Sequence, residues 1–154
     1  MNKIFDHQLM AERIESLKAG ILAGLCLTVA FFLTTLVNNL VLATHFEQLG
    51  SLATDSFNLQ WLVSVGIVCF CGLLFGVTYR YIIRADKNPQ LKAGGVLAFA
   101  LVRGLTQVEV GLSYSKDVLP FVVLGAESIL WFGLAAFFLD TAMQLGWIKP
   151  FKGI

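Results

Sequence analysis

The sequence is poor in the residues from which most enzymes and secreted scaffolds are built. It has two histidines, His7 and His45, and three cysteines, Cys26, Cys69 and Cys71, the cysteines all inside apolar runs. An odd count with no pairing in loops excludes a disulfide framework. Cys69 and Cys71, two residues apart, point to different sides of a helix and read as small hydrophobes. No His/Cys spacing suits zinc, and no HExxH, P-loop, GxSxG or glycine-rich dinucleotide turn is present. The expectation is therefore no metal, no cofactor and no enzyme. His45 has two readings, a pigment ligand or an ordinary boundary histidine.

Charge is scarce as well. Only 14% of the 154 residues are charged, against about a quarter in soluble domains. The net charge is +1 and the basic residues do not gather into a patch, so nucleic acid is not an expected partner.

What the chain has in excess is apolar surface. Hydrophobic residues make up 57% of it, and the mean hydropathy is +0.78. A small water-soluble core cannot hide that much, so the natural solvent is membrane lipid. Four apolar runs, 19–43, 59–83, 92–112 and 118–145, each reach the roughly 20 residues needed to cross a hydrocarbon core. Uniform runs of this length in lipid must be helices. The expected fold is all-α, an integral membrane four-helix bundle over 19–145, followed by a short tail at 146–154. The first run is too long for a signal peptide and is read as a retained helix.

Basic residues orient the bundle. Lys3, Arg13 and Lys18 precede the first run, Arg80, Arg84, Lys87 and Lys92 surround the second connection, and Lys149 and Lys152 follow the last. The first connection has no Lys or Arg and the third only Lys116. This alternation predicts both termini on the inner face, N-in and C-in. Residues 1–18 carry Ile4, Phe5, Leu9, Met10, Ile14 and Leu17 near helical spacing. They are expected to form an amphipathic interfacial helix, either plain or serving as a docking surface. Asn88-Pro89 reads as an N-cap with proline opening the third helix, and Asp117 as the cap of the fourth. Short second and third connections predict that the last three helices are sequential antiparallel neighbours. Gly20/Gly24, Gly72/Gly76 and Gly94/Ala98 have the small-xxx-small spacing of close helix packing, within the chain or in a homo-oligomer.

Ionisable groups deep in lipid are costly and normally paired. Arg103, Gln107 and Glu109 fall in the third run, Glu127 and Asp140 in the fourth. Arg103 and Glu127 are equally far from the outer ends of their helices, roughly 13–14 Å at 1.5 Å per residue. The expectation is an intramembrane Arg103–Glu127 ion pair with Gln107 beside it and Trp131 covering it. Its two readings are a structural clamp, or an ion path that also uses Glu109. Arg80 or Arg84 is the expected partner of Asp140, and Asn38 and Asn39 fall near Glu109. Arg84, Asp86, Lys87 and Lys92 form a candidate inner docking face.

The stretch from Tyr81 through Arg84, Asp86, Lys87, Asn88, Pro89 and Lys92 to Gly95, continuing over Leu101, Arg103, Gly104 and Leu105, resembles small four-pass membrane proteins of cyanobacteria and plant chloroplasts. The resemblance covers about a fifth of the chain and carries over no catalytic residues. It implies a thylakoid, or the plasma membrane of a cyanobacterium, and the neighbourhood of photosynthetic complexes. Together these readings lead to an accessory or assembly protein whose partners are membrane lipid and a membrane protein complex. The alternative is a small transporter or channel built on Arg103 and Glu127.

Overall fold

The computed structural model describes residues 2–52, 59–84, 88–114 and 118–151, and among them every regular element is helical. Helix α1 spans Asn2–Val37; it passes into a π-helical turn, Asn38–Leu42, a single turn, Ala43–His45, and a 3-10 segment, Glu47–Leu52. Helix α2 covers Leu59–Ile83, α3 Pro89–Tyr114 and α4 Leu119–Gln144. These four helices are long and apolar enough to cross a membrane. Their outward faces are apolar, with Leu59 78%, Val102 71% and Phe137 65% exposed, the inverse of a soluble bundle.

No break separates residues 2–18 from the first apolar run. The 36 residues of α1 extend about 54 Å, well beyond a hydrocarbon core of about 30 Å. Nothing between Leu17 and Ala23 interrupts the backbone ladder. Met10, Ile14 and Leu17 lie on the exposed side of this extension, while Ser16 is buried and Glu12 half-buried.

Helix ends follow local chemistry. Asn88 Oδ1 accepts the Gln90 amide at 2.9 Å, and Pro89 opens α3. Asp117 lies outside the described residues, and α4 starts at Val118 without a side-chain cap. At the other end of α4, Gly146 takes φ +77°. Its amide donates to the Met143 carbonyl at 3.2 Å, and the Trp147 amide donates to the Ala142 carbonyl at 3.0 Å. This pair of bonds is a Schellman motif, which needs a left-handed residue at the glycine position. It reverses the chain, so that Ile148 is buried against the bundle.

The four helices pack unevenly. α1 lies most extensively on α2, and α3 on α4; α4 also touches α1, whereas α2 meets α3 and α4 only lightly. Glycines set this pattern. A Cβ on Gly72 would stand 2.7 Å from Gly24 Cα, one on Gly76 would meet the Ala19 carbonyl, and one on Gly20 would sit 3.0 Å from Leu73 O. The two GxxxG motifs thus face each other across the α1–α2 contact. Gly104 and Gly125 bring α3 and α4 equally close, with 3.1 Å from a Gly104 Cβ to Gly125 Cα. Gly94 has nothing within 4 Å, so the third small-residue motif makes no close approach. Because α2 spends its glycine face on α1, its seam with α3 stays open even though the two helices are consecutive in sequence.

Candidate functional site

Two polar regions interrupt the apolar bundle, one at the end where the chain termini lie and one halfway along the helices.

The first is centred on Arg80, only 1% exposed. It occupies the last turn of α2, where the close α1–α2 contact aims its side chain at α1. Nε donates to the Lys149 carbonyl at 2.8 Å, and Nη1 donates to Ser16 Oγ at 2.7 Å and to the Glu12 carbonyl at 3.3 Å. Nη2 forms an ion pair with Glu12 Oε2. The Phe151 ring lies 5.8 Å from the Arg80 guanidinium and 5.7 Å from that of Arg84. The Lys149 amide donates to Glu15 Oε2 at 2.8 Å, and Lys18 pairs with Glu15 at 2.8 Å. One arginine thereby ties α1, α2 and the returning tail together. Nearby, Asp140 accepts from Lys92 Nζ at 2.6 Å and from the Tyr79 hydroxyl at 3.2 Å.

This clasp differs from the sequence expectation. Asp140 is met by Lys92 and Tyr79, not by Arg80 or Arg84. Lys92, assigned to a docking face, is engaged inside the molecule. Arg84 is exposed, at φ 49° just past the end of α2. Asp86 and Lys87 lie outside the described residues. Sequence reasoning missed Arg80 as a centre, treating it as a marker of sidedness and one of two candidate partners of Asp140. The available signal was its place one turn inside an apolar helix, where a lone cation needs several acceptors.

The second region contains the predicted intramembrane pair, and there the structure departs from expectation. Among the described residues no ion pair joins Arg103 to Glu127. The Arg103 guanidinium sits over the Trp131 ring, 5.1 Å from its centroid, beside the Cys71 thiol of α2. Glu127, 8% exposed, faces instead the Asn38 side chain in the π-helical turn after α1. Azimuth decides this. Gly104 touches Gly125, and each residue of a helix turns about 100°. Arg103 therefore points to the α2 side of that contact, and Glu127, two residues from Gly125, to the α1 side. Trp131 stands in the interior, with Phe31 of α1 edge-on at 5.8 Å and Arg103 over its face.

Gln107 does not bridge the pair either; its Oε1 accepts the Ser128 hydroxyl at 3.2 Å. Glu109 is exposed. Asn38 is the partner of Glu127, not a neighbour of Glu109. At the end of the bundle opposite the termini, exposed His45 shares Nδ1 with Thr44 Oγ1 at 2.9 Å and the Val41 carbonyl at 3.1 Å. All three cysteines are free. Among the described residues no group of three His, Cys, Asp or Glu side chains converges as a metal site.

The open α2–α3 seam forms a groove of about 510 Å³ lined by Cys71, Leu74, Ala98, Phe99, Val102, Arg103, Thr106, Gln107 and Phe132. Almost all of that lining is apolar, with the Arg103 guanidinium as its one charge. Chemically the region offers hydrogen-bond donors in an apolar recess. The fold and these side chains define a multi-helix membrane bundle closed at one end by a charged clasp. No protein-family model, curated protein or solved structure matches this chain.

Proposed function

We propose that this chain is a non-enzymatic integral membrane protein that accompanies, or helps to assemble, a larger membrane complex. The observation that carries this reading is the Arg80 clasp. It consumes the buried charges at the terminal end in holding α1, α2 and the tail together. What it leaves outward is a fixed rim on which Arg13, Lys18 and Arg84 are exposed and Trp147 is 72% exposed. A surface held in one geometry loses little entropy on binding, which favours a docking role. The excess of Lys and Arg at this end supports an inner-face position for it. Asp86 and Lys87, read from the sequence as part of an inner docking face, carry over into this proposal from the sequence alone. The resemblance over Tyr81–Leu105 points to a photosynthetic membrane, a thylakoid or the plasma membrane of a cyanobacterium, as the setting.

Solubilisation in mild detergent followed by affinity recovery and native electrophoresis tests this. A band well above the protein's own size is expected, and an Arg84→Glu/Lys87→Glu variant should lose it while keeping its helicity. Recovery of the protein alone from native membranes would reject the proposal.

A second reading, a small transporter or channel, draws on the polar groups Asn38, Glu127, Ser128 and Gln107 gathered around the middle of α4. Proteoliposomes distinguish it: proton or cation flux abolished by Glu127→Gln would favour transport over accessory function.

A further inference from the structure

Among the described residues, the groove between α2 and α3 holds a cation without an anion. Arg103 is 14 residues from Pro89 and 11 from Tyr114 along α3, so it lies about 21 Å from one helix end and about 17 Å from the other. At that depth snorkelling to water is out of reach. A guanidinium has five N–H donors. Among the described residues it meets the Trp131 face and the Cys71 sulfur, while its Nε is buried without a hydrogen-bond acceptor. The one deep carboxylate, Glu127, is turned to the other side of α4, where it faces Asn38. A second donor, the Gln107 side chain, lines the same recess, its oxygen already taken by Ser128.

We propose that this groove binds a compact, lipid-soluble carboxylic acid, its carboxylate bonded to Arg103 and its apolar body lying between α2 and α3. Charge complementarity demands an acceptor, and an anionic one satisfies the planar guanidinium through two parallel bonds. Depth excludes a phospholipid phosphate, which stays at the membrane boundary. Size excludes a whole partner helix. On α3 the lining runs only from Ala98 to Gln107, about 14 Å. A volume of about 510 Å³ falls in the usual range for small-molecule sites. Phe99, Phe132 and Leu74 supply the apolar walls, and the strongly exposed Val102 marks the side from which a ligand enters out of the lipid.

The test uses the full chain in lipid nanodiscs with a diazirine-bearing dodecanoic acid as the probe. Labelling is expected within 71–74 and 98–107 and at Phe132. Unlabelled dodecanoic acid should compete, whereas its methyl ester and dodecylamine should not. Arg103→Gln should lower labelling at least tenfold, and Arg103→Lys should retain part of it. Ala98→Phe, which fills the recess with Arg103 intact, should also abolish labelling while the melting profile stays cooperative; it serves as the deciding variant if Arg103→Gln does not fold. Equal competition by the ester, or labelling that is indifferent to Ala98→Phe, would overturn the proposal by reducing it to general partition into lipid. The same holds if labelling falls outside these residues.

Discussion

Arg103 and Glu127 show how a residue's depth and its direction are separate quantities. Counting from helix ends puts both at a similar level, and that much is legible in sequence. Direction around the helix is set by the residues in closest contact. Gly104 against Gly125 turns the two charges to opposite sides of α4. A double-mutant cycle checks this. With Arg103→Gln, Glu127→Gln and the double variant, the coupling energy in thermal unfolding is expected to stay below about 0.5 kcal/mol, as for groups without a shared bond. A coupling of 1 kcal/mol or more would restore the direct pair. Loss of the Asn38 contact should make Asn38→Leu and Glu127→Gln non-additive instead, because those two side chains do meet.

At the scale of elements, the glycine motifs decide which helices lie together. The GxxxG spacing is visible three times, counting Gly94/Ala98, and sequence alone ranks the three equally. The structure separates them by what each glycine faces. Gly76→Ala would press a methyl group onto the Ala19 carbonyl and to 2.8 Å from Ala23 Cβ, an overpacking expected to cost about 1–3 kcal/mol. Gly94→Ala meets nothing within 4 Å and removes a poor helix former, so it should be neutral or stabilising by up to about 1 kcal/mol. Melting curves of the two variants in one detergent check the contrast. Similar destabilisation by both would mean that α1 and α2 do not meet through this face. The same elements explain the groove. Consecutive helices are expected to pack, but α2 has turned its small residues toward α1 and left larger ones, Leu74 and Cys71, toward α3.

For the molecule as a whole, the clasp at the terminal end joins segments far apart in sequence. Arg80 reaches Glu12 and Ser16 near the start of the chain and Lys149 near its end. The Schellman turn at Gly146 makes this possible by sending the tail back over the bundle. Arg80→Met keeps the bulk and removes the donors. It is expected to cost about 3 kcal/mol, the low end for breaking a buried pair, because Glu12 retains some contact with water. For a chain of this size that corresponds to a fall of roughly 6–12 °C in apparent Tm, with earlier proteolysis after residue 145. An unchanged Tm with an unchanged digestion pattern would show that the tail is not held by Arg80.

The sequence by itself determined the apolar character, the all-helical class and the number of long helices. Those follow from apolar content and run length, which act locally and need no knowledge of neighbours. Local chemistry also made the Asn88 cap and the opening proline of α3 legible. Which charge meets which was decided only by tertiary structure. Arg80 rather than Arg103 became the centre of a network, Lys92 rather than Arg84 took Asp140, and Glu127 went to Asn38. The reason is that a side chain's partner depends on the rotation of its helix about its own axis. That rotation is fixed by the closest backbone contacts, here between glycines on helices whose order of packing no local pattern reveals.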